Sequence, residues 1–188
     1  MSKSFVHLHA HTEYSMLDGA AKIETYLDKV KELGQPGAAI TDHGNLYGAL
    51  EFYNSAIDKE LIPIIGYEAY VINDSRFERP DRENNKRYHL TLLAENTIGY
   101  WNLVNMASRA FTEGYYYKPR VDYELLKEHS EGIIALSGCL GGEISQFLAP
   151  DGSTEEGNKE GERSYSKALE KAKFYQSIFG EENFYIEL

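Results

Sequence analysis

The chain has 188 residues, 42% hydrophobic and 26% charged, which fits one globular domain with a sizeable core and excludes a disordered or fibrous protein. Its formal charge of −11 argues against intrinsic nucleic-acid affinity, because phosphate binding needs a basic surface, so any DNA has to be presented by something else. No apolar run approaches the ~20 residues of a membrane span, residues 1–4 carry no signal-peptide core, and Cys139, the single cysteine, allows no internal disulfide, so a cytoplasmic protein is expected.

Residues 5–11 alternate, and a side-chain period of two puts His7, His9 and His11 on one face of a predicted strand. Ile23, Tyr26, Leu27, Val30 and Leu33 follow at helical spacing, with Gly34 as a stop. The pattern then predicts a strand over 37–41, a helix over 46–59, a strand over 63–72 and a polar excursion over 73–86. Beyond it come a strand over 88–94, a helix over 98–111, a strand over 132–137, a flexible loop over 151–161, a helix over 164–179 and a strand over 184–188. Strands alternating with helices imply a parallel sheet covered on both faces, either doubly wound or closed into a barrel. A barrel usually takes about 250 residues, so this chain is expected to be the N-terminal part of one.

The residue types that carry chemistry recur along this pattern. His9 and His11, two apart on one strand face, could reach one ion at roughly 2.0 to 2.1 Å. Asp18 precedes Gly19 in the loop after that strand, a position that also suits ordinary turn chemistry. Asp42 and His43 fall where the second strand ends; His43 reads as a ligand and Asp42 as its hydrogen-bonding partner, with helix capping by Asp42 as the plain alternative. Glu68 puts a carboxylate inside an otherwise apolar strand, which costs several kcal/mol (roughly) unless it is paired or bound to metal. His89 opens its strand, an early position that suits a strand-end site poorly, and Cys139 stands just past a strand, where a free thiol is commonly inert core. Most of these residues lie at the C-terminal ends of successive strands, where α/β folds assemble their sites. Four histidines, two acids and a thiolate exceed the needs of one tetrahedral zinc, so a multi-metal cluster is expected, and spacing leaves His7 open as a further donor.

The stretches His7-Leu8-His9-Ala10-His11-Thr12, Thr41-Asp42-His43-Gly44, Pro63-Ile64-Ile65-Gly66-Tyr67-Glu68-Ala69-Tyr70, His89-Leu90-Thr91-Leu92-Leu93-Ala94 and Leu136-Ser137-Gly138-Cys139 together resemble the PHP (polymerase and histidinol phosphatase) family. The likeness is to the branch found in bacterial DNA polymerase III alpha subunits, and it covers essentially residues 1–188. The resemblance implies a distorted seven-stranded, TIM-like β/α barrel around as many as three zinc, manganese or iron ions. In that scheme His9, His11 and Glu68 hold one ion, Glu68 bridges to a second completed by His89 and Cys139, and Asp18 and His43 hold a third. Two departures stand out. His7 occupies a place where many members have aspartate, and the family's late Asp-x-His pair is expected beyond Leu188, so fewer ions are expected here.

The resemblance further implies a metal-dependent phosphoesterase acting as a 3'-5' exonuclease within a replicative polymerase, a nucleotidyltransferase; this fragment alone is expected to be inactive. Its partners would be the rest of the alpha chain, replisome subunits and DNA, without a membrane. A non-catalytic structural module and a histidinol-type phosphatase are the alternatives. Tyr117, Lys118 and Arg120 are candidate nucleic-acid contacts, since aromatic and basic residues stack bases and touch phosphate; a structural loop is the plain alternative.

Overall fold

Ile23, Leu27 and Val30 fall on one side of a helix turning every 3.6 residues, and all three are buried in helix α1, Ile23–Glu32. The computed structural model describes residues 5–16, 18–149 and 164–188; the loop expected over 151–161 lies outside them. Strand β1, Gly37–Ile40, and helix α2, Ala49–Asp58, follow, with Ala38, Ile40, Phe52 and Ala56 packed against the buried side of α1. The helix expected from residue 46 starts three residues later, because residues 41–48 form a connection.

Strand β2, Ile62–Ile72, is the axis of the sheet. Along one edge its first residues pair with β1 and its last with the short strand β4, Arg120–Asp122, both parallel. Its other edge pairs antiparallel with β3, Tyr88–Ala94. Strand β3 in turn pairs antiparallel with β5, Ile133–Leu136, which pairs parallel with β6, Phe184–Tyr185. Helices α3, Thr97–Thr112, α4, Tyr123–Glu128, α5, Glu143–Leu148, and α6, Tyr165–Phe179, are the remaining α-helices among the described residues.

Two expectations are corrected here. The sheet is mixed rather than parallel, because the polar excursion between β2 and β3 supplies only one short 3-10 turn and no crossover helix, so β3 returns antiparallel. The first strand, expected over 5–11, forms no ladder; it runs beside β1 through isolated bonds, with the Ala39 and Thr41 N–H groups donating to the His7 and Ala10 carbonyls. The architecture is thus a mixed α/β fold on a six-stranded sheet.

The alternation of β2 and β3 sets the site. Tyr67, Ala69, Val71, Leu90 and Leu92 point into the main core against Leu103, Met106, Leu125 and Tyr175 of the helices, each large side chain contributing about 1.5 to 3 kcal/mol. Glu68, Tyr70, His89 and Thr91 therefore share the opposite face, with Glu68 opposite Thr91 and Tyr70 opposite His89 in register. The polar excursion is pinned rather than loose. Arg76, buried, bonds through its guanidinium to Asp122 at 3.0 Å and Glu113 at 2.6 Å, while Asp122 also caps α4 by accepting from the Leu125 N–H.

Candidate metal centre

Glu68 is the centre of the site because it fills the gap between β1 and β4 along β2. Its N–H donates to the Asp42 carbonyl and its own carbonyl accepts from the Gly44 N–H, which extends the line of β1 to His43 and brings that imidazole alongside. Gly44 has a φ of +66°, and a Cβ there would come within 2.8 Å of the Tyr70 ring, so only glycine turns the chain away after His43 without strain.

Glu68 is fully buried, yet its carboxylate faces four imidazoles. Oε2 lies 2.7 Å from His11 Nε2 and 2.5 Å from His43 Nδ1. Oε1 lies 2.8 Å from His89 Nδ1 and 3.4 Å from His9 Nε2. Burial by itself would raise the Glu68 carboxyl, but His11, His43, His89 and His9 outweigh it and hold it far below the usual carboxylate range. Reciprocally, burial opposes charge on His9 and His89, while Glu187 and Glu68 push His9 up to about 10, and Cys139 and Glu68 push His89 up to about 9. His43 is raised as well, burial being overcome by Glu68 and Asp18.

The distances are those of ion pairs, yet most of the atoms concerned make no hydrogen bond. Both Glu68 oxygens, His9 Nε2, His11 Nε2 and His43 Nδ1 are buried without a hydrogen-bond partner. Imidazole nitrogens and carboxylate oxygens left without a hydrogen-bond partner are groups that a cation between them would use. The donor types, imidazole nitrogen and carboxylate oxygen, fit a divalent transition metal, and three overlapping groups bring ligand atoms within 4.8 Å of one another: His9, His11 and Glu68; His11, Asp18 and His43; His43, Glu68 and His89.

The neighbouring loops hold these side chains in place. Asp42 does not reach an imidazole and caps no helix; its buried carboxylate accepts from the Thr12 N–H, the Thr12 hydroxyl and the Ser15 hydroxyl at 2.6 to 2.7 Å. The Ser15 hydroxyl in turn accepts from the His43 N–H. Asp42 is thus a staple for the loop that presents Asp18, whose Oδ2 lies 2.7 Å from His43 Nε2. At Gly19 a Cβ would sit 1.8 Å from the Thr12 carbonyl, so the loop closes this tightly only on glycine. His89, at the start of β3, reaches the site because β3 runs antiparallel and its beginning lies beside the late part of β2. Cys139 is exposed, with Sγ 3.7 Å from His89 Nδ1 and accepting from the Gly141 N–H; His89 draws its thiol below the ordinary value against the opposing effect of burial.

His7 is exposed and stacks edge-on with Phe5, away from the cluster. Arg120 is corrected outright. Its guanidinium is buried and donates to the carbonyls of Gly114, Arg76 and Glu78, because it is the interior clasp between β4 and the excursion. Tyr117 and Lys118 stay at the surface of a cleft of about 460 Å³ that Asp18, His43 and His89 also line. One residue that pattern reading missed is Glu187, whose Oε1 lies 2.7 Å from His9 Nδ1; its signal was a carboxylate in an apolar terminal strand, the same signal as Glu68.

This is a mixed α/β domain that turns four imidazoles toward one buried glutamate, an arrangement compatible with metal binding. A family model described as the PHP domain matches residues 7–188, and the chain belongs to that family. DNA polymerase III subunit alpha of Helicobacter pylori strain 26695 is 48% identical over 187 residues, covering 100% of this chain and 15% of that protein. The subunit of Thermus aquaticus is 56% identical over 151 residues, covering 78% of this chain and 12% of that protein, and that of Deinococcus radiodurans is 47% identical over 99% of this chain and 14% of that protein. The chain therefore spans about 15% of the length of its curated relatives. A crystal structure from Bifidobacterium adolescentis, provisionally named a metal-dependent phosphoesterase, is 19% identical with a TM-score of 0.43 over 57% of this chain and 33% of that one, too distant to carry an argument.

Proposed function

We propose that the chain is a metal-dependent phosphoesterase domain of a replicative DNA polymerase III alpha subunit, removing 3'-terminal nucleotides from DNA that the rest of the polymerase presents. The observation that carries this reading is the buried Glu68 carboxylate facing His9, His11, His43 and His89. Membership of the PHP family and the polymerase relatives support it. Zinc, manganese or iron would be held by His9, His11, Asp18, His43, Glu68, His89 and Cys139, in up to three sites, with Glu68 bridging two. When bound, the cations would offset charge on a phosphodiester and supply a water of lowered pKa.

The chain's own residues then orient and confine. Glu187 accepts from Nδ1 of His9, leaving Nε2 turned toward Glu68, and Asp42 holds the Asp18 loop against His43 through Thr12 and Ser15. The open side, lined by Asp18, His43 and His89, is where a phosphodiester would enter. The charge of −11 agrees with DNA delivered by the surrounding polymerase and replisome rather than captured by this surface. A cytoplasmic setting and closure of the fold into a seven-stranded TIM-like barrel belong to the same proposal.

The test uses the full-length protein carrying this chain, loaded with manganese or zinc, on a single-stranded oligonucleotide without nucleotides present. Metal-dependent release of 3'-terminal nucleotides, abolished by chelator and by His11→Ala or Glu68→Ala, is expected. A folded, metal-loaded wild type that releases none overturns the reading in favour of a structural module.

A further inference from the structure

We propose that the cleft beside the metal centre is a stacking site for the terminal base of a single DNA strand, with Tyr47 and Tyr115 as the base-binding faces and Lys118 as the phosphate contact. This rests on the phosphoesterase reading above, and it names how the substrate would be held.

The cleft, about 460 Å³, is continuous with the metal centre, since Asp18, His43 and His89 form part of its lining. One wall is an aromatic ladder. Phe111 stacks on Tyr115 at 6.1 Å with 17° between the rings, and Tyr47 leans on Phe111 at 6.1 Å. Tyr47 is 66% exposed and Tyr115 53% exposed, so each keeps an open face after that packing. Three large aromatic groups from two separate parts of the chain, held rigid by one another at the edge of a polar site, form the surface on which a nucleobase stacks. Their companions are unlike those of a protein-docking patch, because the lining also carries the imidazoles of His43 and His89, the Asp18 carboxylate and the Lys118 ammonium.

Lys118 supplies the charge. Its ammonium sits 5.2 Å from the centre of the Tyr70 ring and forms no ion pair with a carboxylate among the described residues. It is held there by a tight turn in which Tyr117 adopts a φ of +60° and the Tyr116 N–H donates to the Lys118 carbonyl. In a chain of net charge −11, a lysine without a carboxylate beside it, next to a metal centre and an aromatic wall, matches the pairing of base and phosphate that one nucleotide offers. Tyr70 also stacks on His43 at 6.0 Å, so the lysine, the ring and the metal-facing imidazole stand in one row leading from the cleft to Glu68.

The experiment compares two single-stranded oligonucleotides, identical except that one ends in 2-aminopurine and the other in an abasic residue, binding to the full-length metal-loaded protein. The proposal expects the base-ended strand to bind more tightly, with quenching of the 2-aminopurine on binding. Tyr115→Ala and Tyr47→Ala should each shrink the ratio of the two affinities about fivefold or more, the range expected for one stacked base, and Tyr115→Phe should preserve it because the ring face is kept. Lys118→Ala should weaken both strands alike and lower the salt dependence of binding. An unchanged ratio in both alanine variants overturns the proposal, as does equal binding of the two strands by the wild type. Hydrolysis of bis(p-nitrophenyl) phosphate by the same wild-type preparation reports separately on the phosphoesterase reading, so its failure is distinguishable from failure of the stacking site.

Discussion

Oε1 of Glu187 lies 2.7 Å from Nδ1 of His9, joining residues 178 positions apart across the face of the sheet that carries Glu68. A carboxylate on one ring nitrogen fixes the tautomer and orientation of an imidazole and raises the basicity of the other nitrogen. Glu187→Ala should therefore weaken divalent-metal binding about 10- to 100-fold, and Glu187→Gln should weaken it less, because an amide oxygen still accepts from Nδ1–H. Competition against a chromophoric zinc chelator reads this directly; wild-type affinity in Glu187→Ala would show that the contact does not support the site.

Glu68 and Cys139 should differ sharply as metal-site variants. Both Glu68 oxygens are shared among four imidazoles, whereas Cys139 lies near one imidazole, that of His89, at 3.7 Å and is exposed. Elemental analysis of Glu68→Gln should show loss across the cluster, and Cys139→Ser loss confined to a single ion. The same metal content in the two variants would overturn the proposed bridging role of Glu68.

Acidity should act in opposite senses on the metal-free and metal-bound protein. His9 is raised to about 10 and His89 to about 9 in the folded chain, above the unfolded value of about 6.5. Raised folded-state values contribute stability that is fully present below about pH 6.5 and is lost as pH rises through 9 to 10. The metal-free domain should accordingly be easier to unfold in urea at pH 10 than at pH 6.5. Metal binding needs the same imidazoles neutral, so affinity should rise across that window and binding should release protons. Calorimetric titration in buffers of different ionisation enthalpy detects the release; heats that do not depend on the buffer would contradict it.

Arg120 and Lys118, two positions apart, should respond differently to alanine. Arg120→Ala leaves the buried Gly114 carbonyl without its donor and the Arg76 and Glu78 carbonyls with Arg79 alone, a loss of about 1 to 3 kcal/mol for the one unsatisfied group. Lys118→Ala removes a side chain that, among the described residues, packs its ammonium on the Tyr70 ring and forms no ion pair, and its cost should stay within about 0.5 kcal/mol. Chemical denaturation monitored by circular dichroism separates the two, and comparable losses would mean that Arg120 is not the clasp described here.

Elements long enough to show their period were legible in the chain: α1, α3, α6, β2 and β3 lie within about a residue or two of the pattern reading. Strand β4, with three residues, and helices α4 and α5, with six each, are too short to complete a readable period, and none was anticipated. The chemistry of the site was legible residue by residue, because a carboxylate at Glu68 in an apolar strand and the His9, His11 pair declare themselves by type and spacing. Their convergence was not. It depends on β3 running antiparallel, which places His89 beside the late part of β2, and on residues 41–43 continuing the line of β1 to bring His43 to Glu68. Strand direction, the inward turn of Arg120 and the meeting of Glu187 with His9 are decided by how distant segments pair and by which face the helices cover. Local sequence sets the period of each segment, and only the folded sheet sets which of those periods face one another.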